Sequence, residues 1–173
     1  MSYKLTIELS ERDLRHFRRE LRKARKSVEI ADDEEILSAA SDTVKSLRAT
    51  VLPDFVTGRL DNLETMLAML SDADWPLTAT ERNPMLAALA YLCDPEDIIP
   101  DDIPGIGLLD DAVMIELVFR ELQHEIEAYQ DFSRFRGTLT AGAAAKNDPA
   151  AVARKLARRR GQLIARMRRR KNK

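Results

Sequence analysis

Five aspartates, Asp97, Asp101, Asp102, Asp110 and Asp111, fall within a stretch of fifteen residues. Carboxylate oxygens gathered this densely are the ligands that a hard cation such as Mg²⁺ or Ca²⁺ selects. Asp97, Asp101, Asp110 and Asp111 are therefore the candidate metal ligands, and metal-assisted hydrolysis is the reaction they would serve. The spacing argues for a plainer role. Calcium loops alternate their ligands at short intervals, whereas here Pro95, Pro100 and Pro104 interrupt the acids and no histidine stands among them. In the plainer reading Asp94 and Asp110 cap helices, Asp101 and Asp102 shape the turn after Pro100, and the remaining carboxylates face water. No metal or other cofactor is assigned.

Two histidines, His16 and His124, each close an acid-x-x-His pair, with Asp13 and Glu121 respectively. Di-iron bundles use Glu-x-x-His pairs that project inward, but His16 adjoins a basic face and His124 lies off the apolar stripe of its helix, so both are expected in water. Cys93 follows the apolar run Ala87 to Leu92 and is expected as a buried structural thiol. The chain has no glycine-rich phosphate loop, serine nucleophile elbow or Cys-x-x-Cys pair. No catalytic residue is assigned, and the sequence favours a protein that is not an enzyme.

The block from Ala90 to Ala112 is punctuated by three prolines that fix φ and by Gly105 and Gly107, which permit positive φ. Tyr91, Pro95, Asp97, Ile99, Pro100, Asp101, Ile103, Pro104, Gly107, Asp110 and Asp111 fall on one pattern. In it the chain resembles the YkvA-like family, a bacterial domain of unknown function. The resemblance covers about residues 85 to 120 and departs mildly at Asp94, where the family usually has Ser, and at Ile98, where it usually has Leu. It implies a shared structural block and carries no activity with it.

A net charge of −1 conceals a strong separation. Residues 32–131 hold 23 acidic and 5 basic side chains, whereas residues 149–173 hold 11 basic and no acidic ones. Such asymmetry suggests a tail that seeks a polyanion, or one that folds against its own acidic body. Arg158, Arg159, Arg160, Arg166, Arg168, Arg169 and Arg170 are the candidate polyanion-binding residues, and nucleic acid is the partner they would suit. A lone cysteine and the lack of a signal-like opening point to the cytoplasm. No apolar run approaches the length of about 20 residues that a membrane span needs.

With 173 residues, 45% of them hydrophobic, only 6 Gly and 33% charged, the chain reads as a mainly α protein. The expected architecture is a compact helical bundle with one short N-terminal strand and a basic C-terminal helix or tail. Tyr3, Leu5, Ile7 and Leu9 alternate with polar residues as a half-buried strand does, and its open edge suggests a homodimer. Ser10 and Asp13 start a first helix on Leu14, Phe17, Leu21, Ala24 and Val28, with Arg15, Arg18, Arg19, Arg22 and Arg25 outward. Leu37, Ala40, Val44, Leu47 and Val51 form a second stripe, and Val56, Leu60, Leu63, Leu67 and Leu70, beside Met66 and Met69, a third. Residues 71–80 read as a loop whose Trp75 folds back onto the core.

Pro84 then opens a fourth helix, and Asp110 caps a single long one from Asp111 to about Arg134, with Ile115, Val118, Leu122, Ile126 and Tyr129 inward. The division that follows is a helical domain over 1–136, a linker over 137–148 and a basic segment over 149–173, helical from Pro149 on Val152, Leu156, Leu163 and Met167. The functional expectation is a non-catalytic binding or scaffolding module with an unidentified protein partner, its Pro/Gly/Asp loop rigid between helices.

Overall fold

The computed structural model describes residues 8–28, 32–93, 108–141 and 148–171. Seven helices occupy them: α1 (Glu11–Val28), α2 (Asp33–Arg48), α3 (Asp54–Ser71), α4 (Ala79–Leu92), α5 (Leu109–Glu121), α6 (Gln123–Ala141) and α7 (Pro149–Lys171). There is no strand among the described residues. The expected strand lies outside them up to Ile7, and Glu8, Leu9 and Ser10 form irregular backbone before α1.

Polar side chains set most of the helix starts. Ser10 donates its N–H (2.9 Å) and hydroxyl (2.6 Å) to the Asp13 carboxylate, which holds that carboxyl below its ordinary value. Asp32 accepts from the Glu34 N–H at 2.9 Å and Asp148 from the Ala151 N–H at 2.9 Å, heading α2 and α7. The fourth helix begins earlier than Pro84 suggests. Thr78 gives its N–H and hydroxyl to Glu81 at 2.8 and 2.7 Å, so the helix starts at Ala79 and runs through Pro84, which is buried in its interior.

α4 forms the centre of the bundle. Met85, Leu86, Ala87, Ala88 and Leu89 are consecutive and all buried, so no side of this stretch faces water. α1, α2, α3 and α5 pack around it, and α6 extends the core against α3 and α5. Ile36, Ala40 and Val44 of α2 and Leu60, Leu63, Met66 and Met69 of α3 complete the interior. Val51, expected on the second stripe, is 103% exposed because α2 ends at Arg48, before the apolar period reaches it. Arg48 then bridges α2 to α3 by pairing with Glu64 at 2.9 Å and with Asp61.

Trp75 is buried as expected, lying 5.2 Å from the Phe132 ring and, edge to face, 5.7 Å from Tyr129. Asp72 holds this loop down by accepting from the Tyr129 hydroxyl at 3.0 Å and pairing with Arg136 at 2.7 Å. Arg136 also lies over the Phe132 ring, 5.4 Å from its centroid.

Two boundaries differ from expectation. The long helix is two, because Leu122 adopts φ −108°, ψ 17° between α5 and α6. The apolar spacing through Ile115, Val118, Leu122, Ile126 and Tyr129 stays in step across that break, and all five are buried, so periodicity alone could not reveal it. The expected linker over 137–148 is helical in its first five residues, and residues 142–147 lie outside the described residues. α6 continues through Gly137 to Ala141, since Phe135 and Leu139 pack against α7 and reward the extra turn.

Candidate functional site

The residues singled out for chemistry separate into three places. Of the aspartate block, Asp97, Asp101 and Asp102 lie outside the described residues, as do Pro95, Pro100, Pro104 and Gly107. Tyr91 lies in the last turn of α4 and is 8% exposed, while Asp110 and Asp111, in the first turn of α5, are 0% and 2% exposed. The Tyr91 hydroxyl donates to Asp110 Oδ2 at 3.1 Å, joining the two ends of the block across 19 positions.

This corrects two expectations. Asp110 is not the cap of α5; that position belongs to Leu108, a non-glycine residue at φ 64°. Asp111 does not face water; it lines a void of about 10 Å³ with Leu60, Leu63, Leu92 and Leu108, room for a single water at most. Two carboxylates near the start of α5 also suit the positive end of its dipole. Among the described residues no group of three or more His, Cys, Asp or Glu is placed to hold a metal ion.

Cys93 follows directly on α4. Burial pushes its thiol above the ordinary value, against a 3.8 Å contact with the Thr43 hydroxyl, and the Asp111 charge pushes it the same way. Cys93 is half-buried, not buried as expected, and a thiol held protonated is a poor nucleophile. His16 is exposed on α1 and lies 2.8 Å from an Arg19 nitrogen. His124 is less solvated than expected: its side chain is 23% exposed, with Nδ1 4.0 Å from Glu127. The acid-x-x-His pairs stand on separate helices, α1 and α5–α6, and Asp13 is committed to Ser10.

The basic segment is helical, and α6 receives it. Leu156, Leu163 and Met167 are buried, Arg166 pairs with Asp131, Arg170 pairs with Glu127 at 2.7 Å, and Arg160 donates to the Asp74 carbonyl at 2.9 Å. Arg159 lies 5.5 Å from the centroid of the Phe135 ring. Arg134 and Arg166, hydrogen-bonded to Asp131, hold its carboxyl below the ordinary value. Of the candidate polyanion-binding residues, Arg158, Arg168 and Arg169 are exposed, Arg166 and Arg170 are exposed yet paired, and Arg159 and Arg160 are half-buried.

A third place was not anticipated. A groove of about 770 Å³ runs between α1, the start of α3 and α5, floored by Leu14, Leu21, Phe55, Ala112, Val113 and Leu117. Its rim carries Arg18, Arg59 and Arg120 together with Glu116 and Glu121. Glu116 pairs with Arg120 at 2.6 Å and with Arg59 at 3.5 Å across the groove mouth. A signal for it exists in the sequence. α5 carries Val113 and Leu117, spaced by four, beside the stripe Ile115–Val118, so its apolar surface is wider than one buried face requires.

The comparisons with known proteins bear on the block that holds Tyr91, Asp110 and Asp111. Residues 85–117 match the family described as Protein of unknown function (DUF1232). The chain is 33% identical over 75 residues to the "Uncharacterized membrane protein YkvA" of Bacillus subtilis (strain 168), a match that spans 41% of this chain and 71% of that protein. No helix among the described residues is long and apolar enough to cross a membrane. No solved structure matches the chain. With its Tyr91 and paired aspartates falling inside the family match, and with 71% of that relative covered at 33% identity, the chain belongs to the YkvA-like family of proteins of unknown function.

Proposed function

We propose that the protein is a non-catalytic binding or scaffolding module, and that the groove between α1, α3 and α5 seats the apolar side of an amphipathic helix from a partner polypeptide. The observation that carries this reading is the chemistry of the groove: an apolar floor bounded by charges of both signs. Helices laid in grooves are held by apolar anchors at helical spacing, and flanking charges select the partner. A polyanion would meet Glu116 and Glu121 there, and a polycation would meet Arg18, Arg59 and Arg120; a helix with mixed flanks suits both. The volume lies within the range of about 300–1,000 Å³ usual for binding pockets.

The Pro/Gly/Asp block leads into α5, and so into Leu109, Ala112 and Val113 of the groove wall. Prolines reduce the backbone freedom a segment has to lose, which favours docking beside it. A cytoplasmic setting belongs to the same reading. The Bacillus subtilis relative's name as a membrane protein would then bear on this chain through a membrane-held partner. A second copy, pairing through residues 3–9, is the homodimeric form of the proposal.

Affinity capture from the native host, run in parallel with wild type, Leu117→Asp and Val113→Asp, tests it. The expected result is a polypeptide that wild type retains, that both variants lose while keeping their helicity, and that rebinds wild type when purified. Unchanged capture by both variants would overturn the groove as the docking surface.

A further inference from the structure

Once α7 is helical, its positive charges divide by face. Leu156, Leu163 and Met167 turn inward, and the arginines flanking that stripe are occupied with the body: Arg159 on Phe135, Arg160 on the Asp74 carbonyl, Arg166 on Asp131 and Arg170 on Glu127. Arg154, Lys155, Arg158, Arg168 and Arg169 are exposed on the far side. Arg154 lies 3.8 Å from Asp148, a pair in which both side chains are mostly in water, and Arg169 donates to the Ala165 carbonyl within its own helix. Between the two outer groups stand Gly161, Gln162 and Ala165, and a Cβ added at Gly161 would have nothing within 4 Å.

We infer that the outer face of α7 binds the phosphate backbone of nucleic acid without regard to base sequence, while the inner face holds the helix on the acidic body as a rigid arm. From Arg154 to Arg169 the helix rises roughly 22 Å at 1.5 Å per residue. That length matches six to seven phosphates along one DNA strand at about 3.4 Å each. The small residues in the middle let a polymer backbone approach the helix between the two arginine groups.

A lipid surface is the poorer fit. A helix lying on a bilayer buries an apolar side among the acyl chains, and the apolar side of α7 is already committed to α6. The outward side chains carry charge with no aromatic group to stack on a base, hence contact with phosphates alone. The acidic surface of residues 32–131 behind α7 repels the same polymer, which turns it toward the outer face of this helix. This inference stands apart from the groove, since none of these residues lines it.

Fluorescence anisotropy of the full chain with a labelled 20-base-pair DNA duplex, titrated from 50 to 200 mM KCl, tests it. Four to five neutralised phosphates give a logarithmic salt slope of about −4, a loss of about two orders of magnitude in affinity over that range. Replacing Arg154, Arg158, Arg168 and Arg169 together by Gln should weaken binding at 50 mM KCl by roughly tenfold or more and flatten the slope. Arg158→Glu alone should act in the same direction. Asp131→Asn and Glu127→Gln, on the body side, should leave the slope unchanged, and a second duplex of different sequence should bind equally.

Absence of binding at 50 mM KCl would overturn the inference, as would full affinity in the fourfold variant. Tighter binding to vesicles of phosphatidylglycerol and phosphatidylcholine than to the duplex would assign the face to lipid and overturn it as well.

Discussion

Asp72 shows how much of this bundle depends on single polar atoms placed far apart in sequence. Burial opposes ionisation of its carboxyl, but Arg136, the Asp74 N–H and the Tyr129 hydroxyl together outweigh burial and hold it below the ordinary value. A carboxyl depressed in the folded state stabilises above its unfolded value of about 3.9, and that contribution is lost as pH falls through the lower folded value. Asp72→Asn should therefore destabilise by about 1–3 kcal/mol at pH 7. It should also flatten the loss of stability below about pH 4, and urea unfolding at pH 7 and pH 3 measures both effects. Nothing in the sequence announces this pair, since Arg136 lies 64 positions away. Trp75 was legible because an exposed indole wastes a large apolar area, and that argument needs no knowledge of the partner. Asp110 was misread for the converse reason. An aspartate before a helix is most often a cap, and only the folded chain brings the Tyr91 hydroxyl to it.

At the level of elements, stripes repeating every three or four residues located α1, α2, α3 and α7 closely, because each of these helices buries one side. α4 was placed less closely. Its sequence gives one inner face on Leu86, Leu89, Ala90 and Cys93, whereas Met85, Ala87 and Ala88 are buried as well, and its start lay in the pair Thr78 and Glu81, a capping signal that the more conspicuous Pro84 overshadowed. The end of α6 was misplaced because Gly137 reads as a breaker, while packing of Phe135 and Leu139 on α7 overrides that weak preference. Gly137 sits in a helix, and a Cβ there would have nothing within 4 Å. Gly137→Ala should stabilise the protein by about 0.5–1 kcal/mol, measured by thermal or urea unfolding, whereas in a flexible linker the same change would do nothing. Leu108, at φ 64°, stores strain of roughly 1–2 kcal/mol at the head of α5.

On the scale of the molecule, the bundle class followed from composition and periodicity, and which faces meet did not. The groove arises where α1, α3 and α5 diverge, a property of three helices together. How α7 is retained can be decided by magnitude. Its ion pairs to Asp131 and Glu127 join half-exposed arginines, and such pairs contribute about 0–1 kcal/mol each. Truncating a buried leucine costs about 2–5 kcal/mol. Leu163→Ala should therefore accelerate hydrogen exchange throughout α7 far more than Asp131→Asn does, and 0.5 M salt should leave α7 protected. The all-buried stretch Met85–Leu89 has a consequence for synthesis. When α4 leaves the ribosome, α5, which covers part of it, is still untranslated, and translation at roughly 5–20 residues per second leaves that apolar segment uncovered for seconds. During that interval the nascent chain presents chaperones with a sticky helix, and slow codons after Leu92 would lengthen its exposure to aggregation.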